Sequence, residues 1–300
     1  MMHDDNTEKP LDFLIHACEL AAGRPGIVYQ FIANAVAAAE LYVAGSTALW
    51  LLAQAHVAKV AGFILGLASI GAAGLILAAG SVAVNRALLN PPRPRHEIDE
   101  AFVFIRNNLA ALVQSYVAFF AFFVLAACVL LIPTTAARLG ALGQLIYAPL
   151  AIPMLIMAAG AVLAIVTGMA VVPADIAAHE RNFTSTFRAA FAYAVRQPRH
   201  YAWSLYRAAI ASALVALPLA LLAWLAANLL NELAGPVGGV EFYAIPHRLW
   251  EMSWAMVIGV IAALPMACFN TIVGLDYRRL AVPPAEQRPP RREPDEDDVE

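Results

Sequence analysis

Residues 186–230 read TFRAAFAYAVRQPRHYAWSLYRAAIASALVALPLALLAWLAANLL. Phe183, Phe187 and Phe191 recur every four residues, the spacing of one helix face. A basic, aromatic elbow follows, with Arg196, Arg199, His200 and Arg207 set among Tyr201, Trp203 and Tyr206 around Pro198. Ala208 to Asn231 then carries no charge. A bilayer span needs roughly 20 predominantly apolar residues, so this run is long enough to cross one.

The same pattern extends outward. Val60–Asn85, Asn107–Ala137, Leu139–Ala174 and Met252–Leu275 are also uncharged. The whole chain is 61% hydrophobic and only 14% charged, against roughly 25% charged in a soluble domain. Lipid is therefore the solvent this sequence expects. The spans are read at about Ile27–His56, Val60–Asn85, a third running to Ile132, Ile146–Val172, Trp203–Leu230 and Leu249–Leu275. Amphipathic or basic segments at 11–22, 97–109 and 175–196 read as interfacial helices before the odd-numbered spans. The fold class is thus all-α: a polytopic bundle of six transmembrane helices with three cytoplasmic interfacial helices. Residues 1–10 read as a disordered leader, with no basic region of the kind that opens a secretory signal. Residues 11–281 form the membrane domain, in units of about 11–85, 97–172 and 175–275. The Pro-, Arg- and acid-rich residues 282–300 read as a disordered tail.

Charge sets the orientation. With six spans, the side opposite the termini keeps only Lys59, Arg138 and Arg248 of the 19 Lys and Arg residues. The positive-inside rule then places both termini in the cytoplasm, and a multi-pass protein of the bacterial inner membrane is the expectation. An internal repeat is expected too, because LAAGRPGIVYQF, FVFIRNNLAALV and AYAVRQPRHYAW align with Arg24, Arg106 and Arg196 in register. Asn85, Asp175 and Asp276 stand in a loosely matching position at the cytoplasmic ends of the even spans. They read either as clamps that pair with elbow arginines or, more simply, as residues marking helix ends beside phosphate and water.

Glycines 62, 66, 71, 74 and 80 mark the second span as closely packed, since small residues let membrane helices approach. Cys18, Cys128 and Cys268 are widely spaced and read as buried free thiols. No HExxH, CxxC, GxSxG, Walker-type or GxGxxG motif is present, and the seven histidines lack metal-ligand spacing. The expectation is no enzyme, cofactor or metal. Glu40 is an ionisable residue inside a span, with Thr47 and Gln54 at i+7 and i+14. Together they make a possible intramembrane polar site, unless the span begins after Glu40 and leaves it in the interface. Arg24, Arg106, Arg196, Arg199 and Arg207 are candidate contacts for anionic lipid headgroups. A basic patch abutting a span favours lipid, not nucleic acid, as the partner.

The third unit, with Pro173, Asp175 and Glu180 ahead of TFRAAFAYAVRQPRHYAWSLYR, resembles a pattern in uncharacterised bacterial six-span membrane proteins. Similar elbow-and-span units occur in the membrane domain attached to some glycerophosphodiester phosphodiesterases. The resemblance covers about residues 90–280. It implies a six-span plan and not the phosphodiesterase activity, whose catalytic domain has no counterpart here. The functional expectation is a non-enzymatic accessory or scaffold protein in membrane assembly, lipid organisation or trafficking. The alternative is a transporter or channel for a small solute, which would require Glu40, Thr47, Gln54 and Asn228 to converge.

Orientation is directly testable. Reporter fusions at residues 90, 180 and 285 should score cytoplasmic, and fusions at 57, 138 and 238 external. An external signal at 180 would overturn the six-span topology.

Overall fold

The computed structural model describes residues 26–54, 56–89, 97–136, 140–179, 182–233 and 245–281. They form helices α1 (Gly26–Leu52), α2 (His56–Leu89), α3 (Glu97–Ala136) and α4 (Ala141–Val166), then a π turn at Thr167–Val171. After the turn come α5 (Val172–His179), α6 (Phe183–Arg196), α7 (Pro198–Leu233) and α8 (Ile245–Ala281). No strand occurs among the described residues. Six helices are long and apolar enough to cross a membrane.

The surface is inverted relative to a water-soluble protein. Ile152 and Leu155 of α4 are 71% and 72% exposed, and Leu217 of α7 is 68% exposed. The interior holds polar groups such as Gln30, Asn85, Asp175, Ser204 and Asn270. Lipid contributes little net attraction between apolar helices, so association depends on close packing and on hydrogen bonds between helices.

The spans lie in an arc in the order α4, α3, α2, α1, α8, α7, with the π turn and α5 packed inside it. Glycines set the closest approaches, as expected for α2. A Cβ on Gly80 would come within 2.8 Å of the Ala33 methyl group on α1. One on Gly74 would collide with the Tyr116 hydroxyl of α3. Gly259 of α8 meets α1 in the same way, 2.5 Å from the Asn34 carbonyl oxygen.

The expected elbow helices differ from one another. That at 11–22 lies outside the described residues. That at 97–109 is not a separate element, because α3 continues without a break through Arg106. That at 175–196 is a separate 14-residue helix only from Phe183 onward. Proline accounts for the contrast. Pro198 disfavours helical backbone at Gln197, which sits at φ −126°, ψ 51°, and itself makes a good first residue for α7. The Asn107-Asn108 sequence that follows Arg106 imposes no such constraint. Asn182 caps the other end of α6, its side chain accepting a hydrogen bond from the Ser185 N–H.

Two expectations are corrected. Asp175 belongs not to an interfacial segment but to the continuation of span four, which runs through the π turn into α5 and buries it completely. Cys268 is buried as expected, whereas Cys128 is exposed on the outer face of α3; Cys18 lies outside the described residues.

Gly259→Ala should lower the melting temperature in detergent, since a backbone carbonyl cannot swing away and overpacking costs about 1–3 kcal/mol. Gly160→Ala, where a Cβ would meet nothing within 4 Å, should leave melting unchanged or raise it slightly. Equal effects would show that the α1–α8 approach is not close.

Candidate functional site

Two features stand out: a polar knot where the even-numbered spans end, and an apolar cleft beside it. The knot begins with the residues that end those spans. Asn85 is on α2, Asp175 on α5, and Asp276, Tyr277 and Arg278 on α8. Each helix touches the other two through polar groups. The Arg278 guanidinium donates to the Asn85 carbonyl oxygen at 2.8 Å. The Tyr277 hydroxyl donates to the Asp175 carboxylate at 2.7 Å. Arg86 reaches the Ala177 carbonyl oxygen at 3.4 Å, with its guanidinium 4.4 Å from the centre of the Phe104 ring. His179 Nδ1 lies 3.1 Å from the same Asp175 carboxylate oxygen, one helical turn away.

The fourth connection is charged. Arg207 of α7 donates to Asp276 at 2.6 Å, with side-chain exposures of 23% and 6%. Asn85, Asp175 and Asp276 therefore do not punctuate helix ends in contact with water. They are buried, at 0%, 0% and 5% exposure; Asp175 and Asp276 bond to other helices through their carboxylates, and Asn85 through its main-chain carbonyl while its side-chain amide donates to Ser81 within α2. The π turn contributes by adding a residue to the helical repeat just before Asp175, altering the register that carries it into the bundle. A second buried set lies nearby on α1 and α8, where the Gln30 amide donates to Asn34 at 2.6 Å and Asn270 donates to Gln30 at 3.4 Å.

A run of tyrosines joins the knot to the cleft. Tyr193 of α6 packs edge-on against both Tyr277 and Tyr201, with ring centres 5.2 and 5.4 Å away. Burial pushes the Tyr193 hydroxyl up to about 12, partly offset by the Ser204 hydroxyl beside it and reinforced by the nearby Asp276 charge. Tyr201 and Thr167 share a hydrogen bond of 2.5 Å, and Thr167 also donates to the Leu163 carbonyl oxygen inside its own helix.

Thr167 and Tyr201 form part of the lining of a cleft of about 700 Å³. Its walls come from Phe119, Phe122, Leu125 and Val129 of α3, Met157, Gly160, Ala161 and Ala164 of α4, and Phe191, Val195, Pro198 and Ala202 around the α6–α7 elbow. The cleft exists because α4 and α7, the two ends of the arc, make no extended contact. Helix α6 spans the gap between α3 and α7 at one end, its Phe187 ring 5.0 Å from Phe119 of α3, tilted against Phe183 and stacked on Phe191.

The candidate residues read from the sequence are mostly dispersed. Glu40 is near the middle of α1, half-buried, with Oε2 buried and making no hydrogen bond. Thr47 is exposed and donates to the Val43 carbonyl oxygen, Gln54 is exposed just beyond the helix, and Asn228 is exposed and bonds back to Trp224. These four are not brought together. Arg106, Arg196 and Arg199 are exposed, Arg207 is engaged by Asp276, and Arg24 lies outside the described residues. No group of His, Cys, Asp and Glu suited to a metal ion occurs among the described residues. The sequence pointed to Asn85, Asp175 and Asp276 but not to Tyr277, Arg278, Tyr193 or the cleft.

The fold and site define a multi-pass integral membrane protein. The chain matches no family model, no curated protein and no solved structure.

Asp276→Ala should destabilise the protein by roughly 3–5 kcal/mol, because it leaves the Arg207 guanidinium without its counter-charge. Pairing it with Arg207→Met should recover part of that loss. A thermal-melting double-mutant cycle in detergent measures the coupling, and additive losses would show that the pair contributes nothing jointly.

Proposed function

We propose that this chain is a non-enzymatic accessory or scaffold protein of the bacterial inner membrane, with both termini cytoplasmic and a role in lipid organisation. The observation that carries the reading is where polarity and space lie. Buried polar side chains are used to tie helices together at one end of the bundle. A cleft of about 700 Å³ on its flank is apolar, with the Thr167–Tyr201 pair as the polar side chains of its lining. Such a cavity suits hydrocarbon, whereas a path for a polar solute needs converging donors and acceptors along the bundle axis. The threefold repeat belongs to the same proposal. It is supported by the closed cycle of bonds among α2, α5 and α8, in which Asn85 and Asp175 of the three loosely matching residues take part while Asp276 pairs with Arg207 of α7.

A second reading, a transporter for a small solute, draws on Glu40, whose Oε2 is buried without a hydrogen bond inside a membrane helix. Proteoliposomes separate the two. The accessory reading expects pH gradients and small-solute gradients to decay no faster than in protein-free vesicles, with Glu40→Gln indistinguishable from wild type. Saturable flux abolished by Glu40→Gln would replace the accessory reading with transport.

A further inference from the structure

We infer that the cleft between α3, α4 and the α6–α7 elbow is a binding site for one phospholipid with an anionic headgroup. An acyl chain would lie in the cleft and the phosphate on the elbow. The inference rests on the lipid-organising reading above and names the ligand of its cavity.

Four observations converge on that occupant. The cleft lies on the flank of the bundle, between two spans whose outer faces carry exposed Ile152, Leu155 and Leu217. Hydrocarbon therefore has direct lateral access. Its walls offer aromatic and aliphatic surface from Phe119, Phe122, Met157 and Val195. Its volume of about 700 Å³ is in the range of sites for small ligands, roughly 300–1,000 Å³. A Cβ built on Gly160, which lines the cleft, meets nothing within 4 Å.

Charge supplies the headgroup. Val195, Pro198, Tyr201 and Ala202 line the cleft, and the intervening Arg196, Arg199 and His200 are all exposed. One short turn thus presents apolar side chains to the cleft and two permanent cations at its edge. Arg207, slightly further along, is already neutralised by Asp276, which leaves Arg196 and Arg199 as the phosphate-binding pair. Guanidinium groups suit this task because their fixed donor fork matches phosphate oxygens. The snug floor has a structural reason as well. The Thr167–Tyr201 hydrogen bond holds the π turn against the start of α7, closing the cleft on the side of the knot.

The inference is tested on the full chain, purified in mild detergent, by native mass spectrometry with phosphatidylglycerol and phosphatidylcholine of identical acyl chains. Wild type should retain one phosphatidylglycerol at about tenfold lower lipid concentration than phosphatidylcholine. The double variant Arg196→Gln/Arg199→Gln should bind both lipids alike. Gly160→Phe, which fills open space, should lose the retained lipid while keeping wild-type circular dichroism and monodispersity. Gly45→Phe, at another open position on α1, should retain it. Equal retention of the two lipids by wild type, or full retention by Gly160→Phe, would overturn the site. So would a dimer that Gly160→Phe dissolves, because the cleft would then hold a second copy. Solute flux in proteoliposomes with lipid selectivity intact would remove the accessory reading and leave the site standing.

Discussion

Hydrocarbon offers no hydrogen bonds, and the rest of this structure follows from that constraint. A carboxylate, amide or guanidinium drawn into the bundle is costly unless it finds a partner in protein. Asp175 is the clearest case. It is fully buried at the end of span four and held by Tyr277 from α8 and His179 from its own helix. Because its partner is on another span, satisfying the carboxylate also fixes where α8 lies. Arg278 on Asn85 and Arg86 on Ala177 act in the same way, so three helices are positioned by groups that cannot be left unpaired.

The opposite principle governs the rest of the bundle. Where helices carry only apolar residues, nothing but surface shape holds them together, and small residues set the spacing. Even α1 and α8, linked by Asn270 and Gln30, owe their closeness to this, for α1, α2 and α8 approach at Gly80 and Gly259 until no side chain would fit between them. Helices α4 and α7 are joined only at one level, where Tyr201 reaches Thr167 and the Leu163 carbonyl oxygen, and elsewhere the arc remains open. The cleft is therefore a consequence of where the bundle spends its directional interactions. Its position next to a basic elbow sets the exposed Arg196, Arg199 and His200 of α6–α7 beside an apolar cavity of about 700 Å³.

Tyr193 shows how the two regions communicate structurally. Helix α6 is amphipathic, and its buried edge places this tyrosine between Tyr201 at the cleft and Tyr277 at the knot. Three rings packed edge to face make a stiff strut, since aromatic contacts add to simple burial. The elbow is thereby anchored to the polar knot that ties α2, α5 and α8 together. A cationic turn held in this way is preorganised.

Much was legible in one dimension. Charge-free windows fixed the number of spans, because length and polarity alone decide whether a helix can cross a bilayer. Phe183, Phe187 and Phe191 fixed the aromatic face of α6, because helical periodicity is local. Pro198 likewise fixed the break before α7. What the sequence left open depended on partners distant in the chain. Nothing near Asp175 announces that Tyr277, 102 residues away, will bond to it. Nothing near Glu40 shows that Thr47 and Gln54 turn outward. The cleft is a property of two helices that meet only around Tyr201, and no local pattern encodes a gap. Sequence determined which segments enter the membrane, through solvation; tertiary structure alone decided which polar groups meet there and where the bundle stays open, through packing.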